Sequence, residues 1–351
     1  MSEPKVSVII CCYTDERLKD IHEAVDSVLA QTLRPHELII AVDHNKQLYE
    51  RLAQTYGESA NIHSNSANLN QSPGCQFPIP TSGAPIPIVL VLNEGAQGLS
   101  ETRNVGLRAA SGDIVAFIDD DAVAEKDWLL YLSKPFEDER VVAVGGRAIP
   151  LWLNGGRPSW FPEELDWIVG CTYEGLPLDG NKIRNVAGCN MAFLKEAFAK
   201  AGLWDTRMGS VGQSLKGGEE AEMCLRFRQK IPTALILWEP KALINHKVPL
   251  SRAGLRWVIK NSYDQGTCKV KVTKYCDSTS ENHLSTEGSY LRYLLSRSVP
   301  GRLARFYHKR SLLQAGAILV CIAATGAGYL VGRATIRSKQ KNPRKSVVVK
   351  R

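Results

Sequence analysis

The chain has 351 residues, 44% of them hydrophobic and 23% charged. That balance excludes wholesale disorder, and the length exceeds one small domain. Its net charge is +8, but twelve of the 44 Lys and Arg, and none of the 36 acids, lie from Gly301 onward, leaving residues 1–300 at −4. A basic tail on an acidic body excludes a nucleic-acid-binding core and suits anionic lipid headgroups. Nine cysteines are scattered with no CxxC pair, which reads as reduced thiols in a reducing compartment and argues against a zinc site. The N-terminus has no basic region leading into an apolar stretch and cleavage site, so no signal peptide is expected.

Val6–Cys12 (VSVIICC) is a continuous apolar run, the pattern of a strand buried on both faces. Ile21, Val25, Val28 and Leu29 then share a helical face over 21–31. Glu37–Val42 is a second buried strand ended by Asp43, Lys46–Tyr56 a helix, Ile88–Leu92 a third strand, Ser100–Ala110 a helix, and Ile114–Ile118 a fourth strand running into Asp119-Asp120-Asp121. Fourfold strand–helix alternation predicts an open, mostly parallel α/β sheet. Such sheets bind ligands beyond the carboxyl ends of their strands, where Tyr13-Thr14-Asp15, Asp43 and Asp119–Asp121 all fall. Residues 61–87 interrupt the pattern without one Asp, Glu, Lys or Arg and read as a mobile, non-catalytic insertion.

A second half starts with a strand at Val141–Val144. The spacing then predicts a strand from Ile183 to Phe193, a helix opened by Gly217-Gly218-Glu219-Glu220, short strands at Ala234–Leu237 and Ala242–Asn245 followed by His246, and a helix over Leu255–Tyr263. Residues 266–290 read as irregular and Tyr290–Arg297 as helical. No internal repeat is found. Adjacent carboxylates at a buried strand end repel one another and need a counter-cation, which a divalent ion with oxygen ligands supplies. Alternation sends Asp119 and Asp121 to one side and Asp120 to the other.

VSVIICCYT, Asp43, GLSETRNVGLRAASGDIVAFIDDDA and GGEEAEMCLR together resemble family 2 glycosyltransferases of the GT-A, Rossmann-like fold, over roughly residues 5–270. AVDHN, WFPEE, VGCTY and NVAGCN resemble a narrower branch, the glucosyl-dolichyl-phosphate glucuronosyltransferase-like proteins. The resemblance implies an inverting, Mn²⁺- or Mg²⁺-dependent enzyme that moves one sugar from a nucleoside diphosphate donor, UDP-linked by expectation, to a lipid-linked polyprenyl or dolichyl phosphate acceptor. The alternative within the family is a polysaccharide, glycan or protein acceptor. The resemblance makes Asp121 the main metal ligand with His246 beside it. Thr14, Asp43, Arg103, Asp119 and Arg256 become donor-site residues. The family's base is the second acid of a Glu-Asp pair; here the pair is Glu219-Glu220, which leaves the base between the two. Processive relatives carry Gln-x-x-Arg-Trp, whereas Ala253 stands four positions before Trp257, which implies single transfer. A nucleotidyltransferase would need a Gly-rich loop that CCYTDER lacks, and a non-catalytic binding protein has no use for Asp121 and the glutamate pair.

Leu312–Gly332 is 21 residues without a charge, with basic residues before and after it, long enough as a helix to cross a bilayer core. Eight Lys or Arg in 333–351 resist translocation, so a single span competes with insertion into one leaflet. Gly328-x-x-x-Gly332 offers a close helix contact. The resulting organisation is a nucleotide-sugar-binding half at 1–125, an acceptor half with the base at 126–265, a juxtamembrane region at 266–311, a detachable membrane helix at 312–332 and a basic tail at 333–351, with the catalytic part on the cytoplasmic face of the cell membrane.

Overall fold

Apolar β-branched runs buried on both faces build the centre of the sheet. In the computed structural model, which describes residues 4–57, 60–62, 85–211, 217–275 and 285–341, these runs are β1 (Val6–Cys12), β2 (Glu37–Asp43), β4 (Ile88–Asn93) and β5 (Ile114–Asp119), with β3 (Ala60–Ile62) at the edge. Between them lie α1 (Leu18–Leu29), α2 (Lys46–Tyr56) and α3 (Leu99–Ala109). The second half adds β6 (Ala122–Ala124), α4 (Trp128–Ser133), β7 (Val141–Trp152), β8 (Asn190–Leu194), α5 (Lys195–Ala201), α6 (Glu219–Lys230) and β9 (Leu235–Val248). The C-terminal part is helical: α7 (Leu255–Tyr275), α8 (Ser285–Tyr293), α9 (Val299–Leu303) and α10 (Lys309–Lys341).

The strands form one nine-stranded sheet in the order β3-β4-β2-β1-β5-β8-β7-β9-β6. Only β8 and the short edge strand β6 run against the others. The sheet is therefore mostly parallel, as the alternation predicts, and it continues without a break across residue 125. Successive β1 residues serve opposite faces. Val8 and Ile10 join Val25, Val28, Leu48 and Trp128 on one side; Ile9 joins Leu107, Phe198 and Phe227 on the other.

The sequence motifs find physical roles here. An added methyl at Gly106 would sit 2.7 Å from Ile9 Cγ2, so glycine lets α3 lie directly on β1. Asn104 clamps Trp204 through both its main-chain groups, accepting from the N–H at 2.9 Å and donating to the carbonyl at 3.1 Å. Ser111-Gly112-Asp113 ties the opposite end of the sheet: Ser111 donates to Glu37, the Gly112 N–H donates to the Ser7 hydroxyl, and Asp113 accepts from the Lys5 N–H.

Several expectations need correction. The Ile183–Phe193 strand is only Asn190–Leu194; residues 183–189 arch over the site, with the Asn190 N–H turned back onto the Ala187 carbonyl. The two short strands near residue 240 are one strand, irregular where Gly146 pairs with Glu239 and Arg147 with Leu243. The expected irregular stretch from 266 is instead helical to Tyr275 in α7 and again from Ser285 in α8. Most of the 61–87 segment lies outside the described residues, and Asn61 and Ile62 belong to β3.

The longer α7 has a cause that local pattern hides, because its partner is α10, far along the chain. An added methyl at Gly266 would strike the Thr325 carbonyl oxygen, and one at Gly328 the Tyr263 carbonyl oxygen. Gly332 lies against Thr267 and Val270. Backbones therefore touch along the crossing, with Gly328 and Gly332 on the contact face. Ala317, Ile318 and Cys321 of α10 join the hydrophobic core, so α10 is no detachable anchor. Its other face is exposed and apolar, through Leu312, Leu313, Leu319, Val320, Leu330 and Val331. Residues Lys309–Thr335 are apolar and long enough to cross a membrane.

Gly266→Ala and Gly328→Ala are expected to destabilise the full-length protein by about 1–3 kcal/mol each, through overpacking. Gly316→Ala, which meets open space, is expected to be neutral or slightly stabilising. Thermal unfolding in detergent reads all three; equal melting temperatures would remove the close crossing.

Candidate active site

The carboxyl ends of β1, β2 and β5 open into a cavity of about 890 Å³ lined also by residues of α3, β7, α6, β9, α7, α8 and α10. At one end is Asp43. Its Oδ1 accepts from Asn93 Nδ2 at 2.8 Å, and Oδ2 accepts from the Gly98 N–H at 3.0 Å. These two donors and His44, whose Nδ1 lies 2.8 Å from Oδ1, fix the carboxylate while leaving Oδ2 a lone pair for a ligand N–H. Cys11 also lines this end. Burial pushes its thiol up to about 12, which removes it as a nucleophile at neutral pH.

Next come the three aspartates, split as alternation predicts. Asp120 turns to Arg17 at 2.5 Å, and burial raises it to about 7 despite that cation. Asp121 is held from three sides: Arg17 at 3.0 Å, His246 Nε2 at 3.2 Å and Arg252 at 3.9 Å. Burial pushes Asp121 up, but His246, Arg17 and Arg252 hold it below the usual carboxylate range. Burial likewise pushes His246 down, and the Asp121 carboxylate more than reverses this, well above the ordinary 6.5.

Strand pairing explains why His246 is there. In the β6–β9 ladder Ala122 faces His246, and the Lys247 N–H donates to the Asp121 carbonyl at 2.9 Å. A histidine some 125 positions away thus lands beside the aspartates. Gly170, at φ +84°, lies against its ring, and Cys171 Sγ is 3.6 Å from Nδ1. One ligand atom each from Asp119, Asp121 and His246 fall within 4.8 Å of one another. Asp121 Oδ1 is buried and faces His246 Nε2 at 3.2 Å outside good hydrogen-bond geometry. Two carboxylates and an imidazole converging in this way fit a divalent metal.

Farther along, α6 begins at Glu219. Gly218 before it has φ +102°, a turn that favours glycine. Arg103, 2% exposed, lies 3.2 Å from Glu219 Oε1 and 3.4 Å from Glu220 Oε1. It also reaches the Gly188 carbonyl and sits 5.0 Å from the Trp204 ring centre. A side chain at position 188 would collide with Glu220, so glycine admits the loop here. Burial first, then the Glu220 carboxylate, raises Glu219 to about 8, with Arg103 pulling the other way. Glu219 is therefore biased toward its neutral form. Glu220 is the more open of the two, with 16% of its side chain exposed against 4%.

The cavity brings together Asp43, Arg103, Asp119, Asp121, Glu219, Glu220 and His246. Two expected residues stay out. The Thr14 hydroxyl accepts from the Glu16 N–H and caps the turn Asp15–Arg17. Arg256 is exposed, because Trp257 takes the cavity-facing position on the first turn of α7. Arg252, in the turn before α7, supplies the cation instead. Arg17 was missed entirely; its only signal was a basic side chain five residues beyond β1. Arg184, Lys269 and Glu287 also line the cavity, and nothing local marked them.

The fold is that of GT-A glycosyltransferases, which sets the class. A mannosyltransferase of Pyrobaculum calidifontis, solved with GDP-Man and Mn²⁺, superposes with a TM-score of 0.53 at 16% identity, covering 97% of this chain and 81% of that one. GalNAc-T7 with UDP, GalNAc and Mn²⁺ gives 0.51 at 15% identity, covering 99% and 59%. The family follows from sequence. The glycosyl transferase family 2 model matches residues 81–202. The glucosyl-dolichyl phosphate glucuronosyltransferase of Haloferax volcanii is 33% identical over 335 residues, 94% of this chain and 97% of that protein. The chain belongs to glycosyltransferase family 2, and it is a glycosyltransferase.

The Glu219 environment sets a pH dependence. Its folded value near 8 exceeds the ordinary 4.5, so the folded state holds the proton more tightly than the unfolded chain. That contribution is complete below pH 4.5 and is lost as pH rises toward 8. Glu219→Gln, isosteric with the protonated acid, escapes the loss. Its melting temperature is expected to exceed the wild type's by a margin that widens between pH 5 and pH 9; a margin constant with pH would refute the buried proton.

Proposed function

We propose that the protein transfers one sugar, with inversion, from a UDP-linked donor to a lipid-linked polyprenyl or dolichyl phosphate acceptor at the cytoplasmic membrane face. The observation that carries the acceptor is the cavity itself. Its far wall consists of Tyr290, Leu291 and Leu294 next to Ile318, Ile322 and Tyr329 of α10, the helix apolar enough to enter a membrane. A site for a polar glycan alone has no need of such a wall. The likeness to a dolichyl-phosphate-sugar enzyme over 94% of the chain supports the same reading.

Asp43 is positioned to accept from the base of the nucleotide. Asp119, Asp121 and His246 would hold a divalent ion, Mn²⁺ or Mg²⁺, which supplies charge neutralisation to the departing diphosphate. The imidazole gives up its proton on becoming a ligand. Arg252 and Arg17 add fixed positive charge at the same end. Glu219 is the more buried of the two and is biased toward its neutral form, which makes Glu220 the base. It takes the proton of the acceptor hydroxyl while that oxygen bonds to the anomeric carbon. The bond from that carbon to the diphosphate oxygen breaks, and its electron pair leaves with the nucleotide. One displacement inverts the centre. Arg103 fixes both glutamates, and a neutral Glu219 keeps a second negative charge away from the base.

The membrane geometry follows from α10. It lies beside α7 from about Ser262 to Val270, a stretch that carries Asp264 and Lys269. A perpendicular span would drag those charges into hydrocarbon at several kcal/mol each. We therefore favour insertion in one leaflet, with the exposed stripe Leu312–Val331 toward lipid and the basic tail on headgroups.

A donor panel with a polyprenyl phosphosugar acceptor tests the reaction. Asp121→Ala is expected to abolish transfer, and Glu220→Gln to lower kcat about a hundredfold or more with donor KM little changed. Transfer only to water-soluble glycans would overturn the acceptor, and full activity of Glu220→Gln would move the base elsewhere. For the membrane, a Ser346→Cys variant in intact cells is expected to resist labelling by an impermeant reagent applied outside. Ready labelling would establish a single span.

A further inference from the structure

Away from the metal end, the cavity wall carries a charged cluster that the chemistry above does not use. Arg184, in the loop over the site, lies 2.5 Å from Glu287 of α8, and Lys269 of α7 lies 2.8 Å from the other oxygen of the same carboxylate. All three side chains line the cavity and are largely shielded, at 15%, 28% and 22% exposure. Burial works against the Glu287 charge, but Lys269 and Arg184 pull its pKa down to about 2, so the carboxylate is ionised throughout. Among the described residues, two cations thus share one carboxylate, and the trio carries a surplus positive charge inside a largely apolar chamber.

Its neighbours say what that surplus meets. Glu287 is followed one turn later on α8 by Tyr290 and Leu291, which begin the apolar wall continued by Ile318 and Ile322. On the other side, Arg184 belongs to the loop whose Gly188 lies against Glu220, and Arg228 of α6 donates to the Ile183 carbonyl at 2.7 Å, which puts the cluster on the base's side of the cavity. An anion seated here would have its sugar directed toward Glu220 and its tail along α8 and α10.

We propose that Arg184 and Lys269 form the binding site for the phosphodiester of the lipid-linked acceptor, with Glu287 as a resident counter-charge that tunes its affinity. The inference rests on the reading of the acceptor as a lipid phosphosugar. A phosphodiester carries a single negative charge, which balances the trio without displacing Glu287. The Arg184 guanidinium, which donates to Asn185 as well as to Glu287, and the Lys269 ammonium both meet a phosphate as positive charges. The donor's diphosphate is met at the opposite end by Arg252 and the Asp119, Asp121 and His246 group.

Equilibrium binding to the full-length protein in detergent micelles tests the site without any transfer. The probes are a short polyprenyl phosphoglucose and the matching polyprenyl glucoside that lacks phosphate. The wild type is expected to prefer the phosphodiester. Arg184→Ala and Lys269→Ala are each expected to weaken it about tenfold or more, with Arg184→Lys recovering part, and neither to weaken binding of UDP. Glu287→Gln is expected to tighten the phosphodiester several-fold and to leave the glucoside unmoved. A trio that only braces α8 predicts the opposite sign, because losing the carboxylate would loosen the wall. Equal affinity for the two probes, or weaker phosphodiester binding in Glu287→Gln, overturns the proposal. Weakened UDP binding in Arg184→Ala or Lys269→Ala would reassign the cations to the donor. If the phosphodiester binds as expected but is never glycosylated with any donor, the anion site stands and the reading of the reaction fails.

Discussion

A single buried cation joins the two halves of the catalytic site. Arg103 projects from α3, which packs on the strands of the first half, and reaches Glu219 and Glu220 at the head of α6, the Gly188 carbonyl of the overlying loop and the face of Trp204. Burying a guanidinium is costly, and the cost is offset only when nearly every donor is met. Here the partners come from three separate segments, so their mutual placement is a condition of the arginine being tolerated at all. Asn104, one residue on, clamps Trp204 through its backbone, and Gly106 seats the same helix on β1. The short Arg-Asn-x-Gly string thus fixes where the glutamate pair stands relative to the strand ends.

The same logic governs the metal end. Asp120 and Asp121 are almost completely buried, and Asp121 could not stay ionised there without cations close by. Arg17, His246 and Arg252 supply them from the turn after β1, the end of β9 and the turn before α7. These are distant pieces of chain, and the β6–β9 pairing is what makes the histidine available. A site built this way has its charge balance set by strand register. A one-residue slip of β9 would turn His246 to the other face of the sheet.

The parts of this architecture that repeat a local period were legible from the residues. β1, β2, β4 and β5 are short runs of Val, Ile and Leu, and their carboxyl ends carry Asp43 and Asp119 where the parallel-sheet rule places ligands. The separation of Asp119 and Asp121 from Asp120 follows from alternation alone. What the sequence hid depends on distant partners. Residues 266–275 lack an apolar face strong enough to announce a helix, because glycine contacts with α10 hold them. The loop 183–189 has strand-like composition, yet Gly188 must bend to meet Arg103. Arg256 stands in the family's arginine position, but helical phase gives Trp257 the inward place. Thr14 has the composition of a ligand-binding turn and spends its hydroxyl on capping that turn.

α10 shows how one segment can answer two demands that pull its composition apart. A good membrane span is rich in Leu and Ile, whereas this helix holds Ala and Gly at many positions and is a weak span for its length. Some of the small residues lie inward, where Gly328 and Gly332 admit the α7 backbone and Ala315 and Ala317 are buried, while Gly316 and Gly326 meet open space. The large apolar residues Leu312, Leu313, Leu319, Val320, Leu330 and Val331 remain on the outer face. Side chains from the seam between these faces, Ile318, Ile322 and Tyr329, look into the catalytic cavity. A helix that only anchored the protein would not need such a seam, and a helix that only closed the core would not need so apolar an outer face. Both features follow if the membrane surface and the acceptor end of the cavity are separated by the thickness of one helix. The apolar part of an acceptor can then stay along α10 while its phosphate and sugar reach inward, so that little hydrocarbon is exposed to water during transfer.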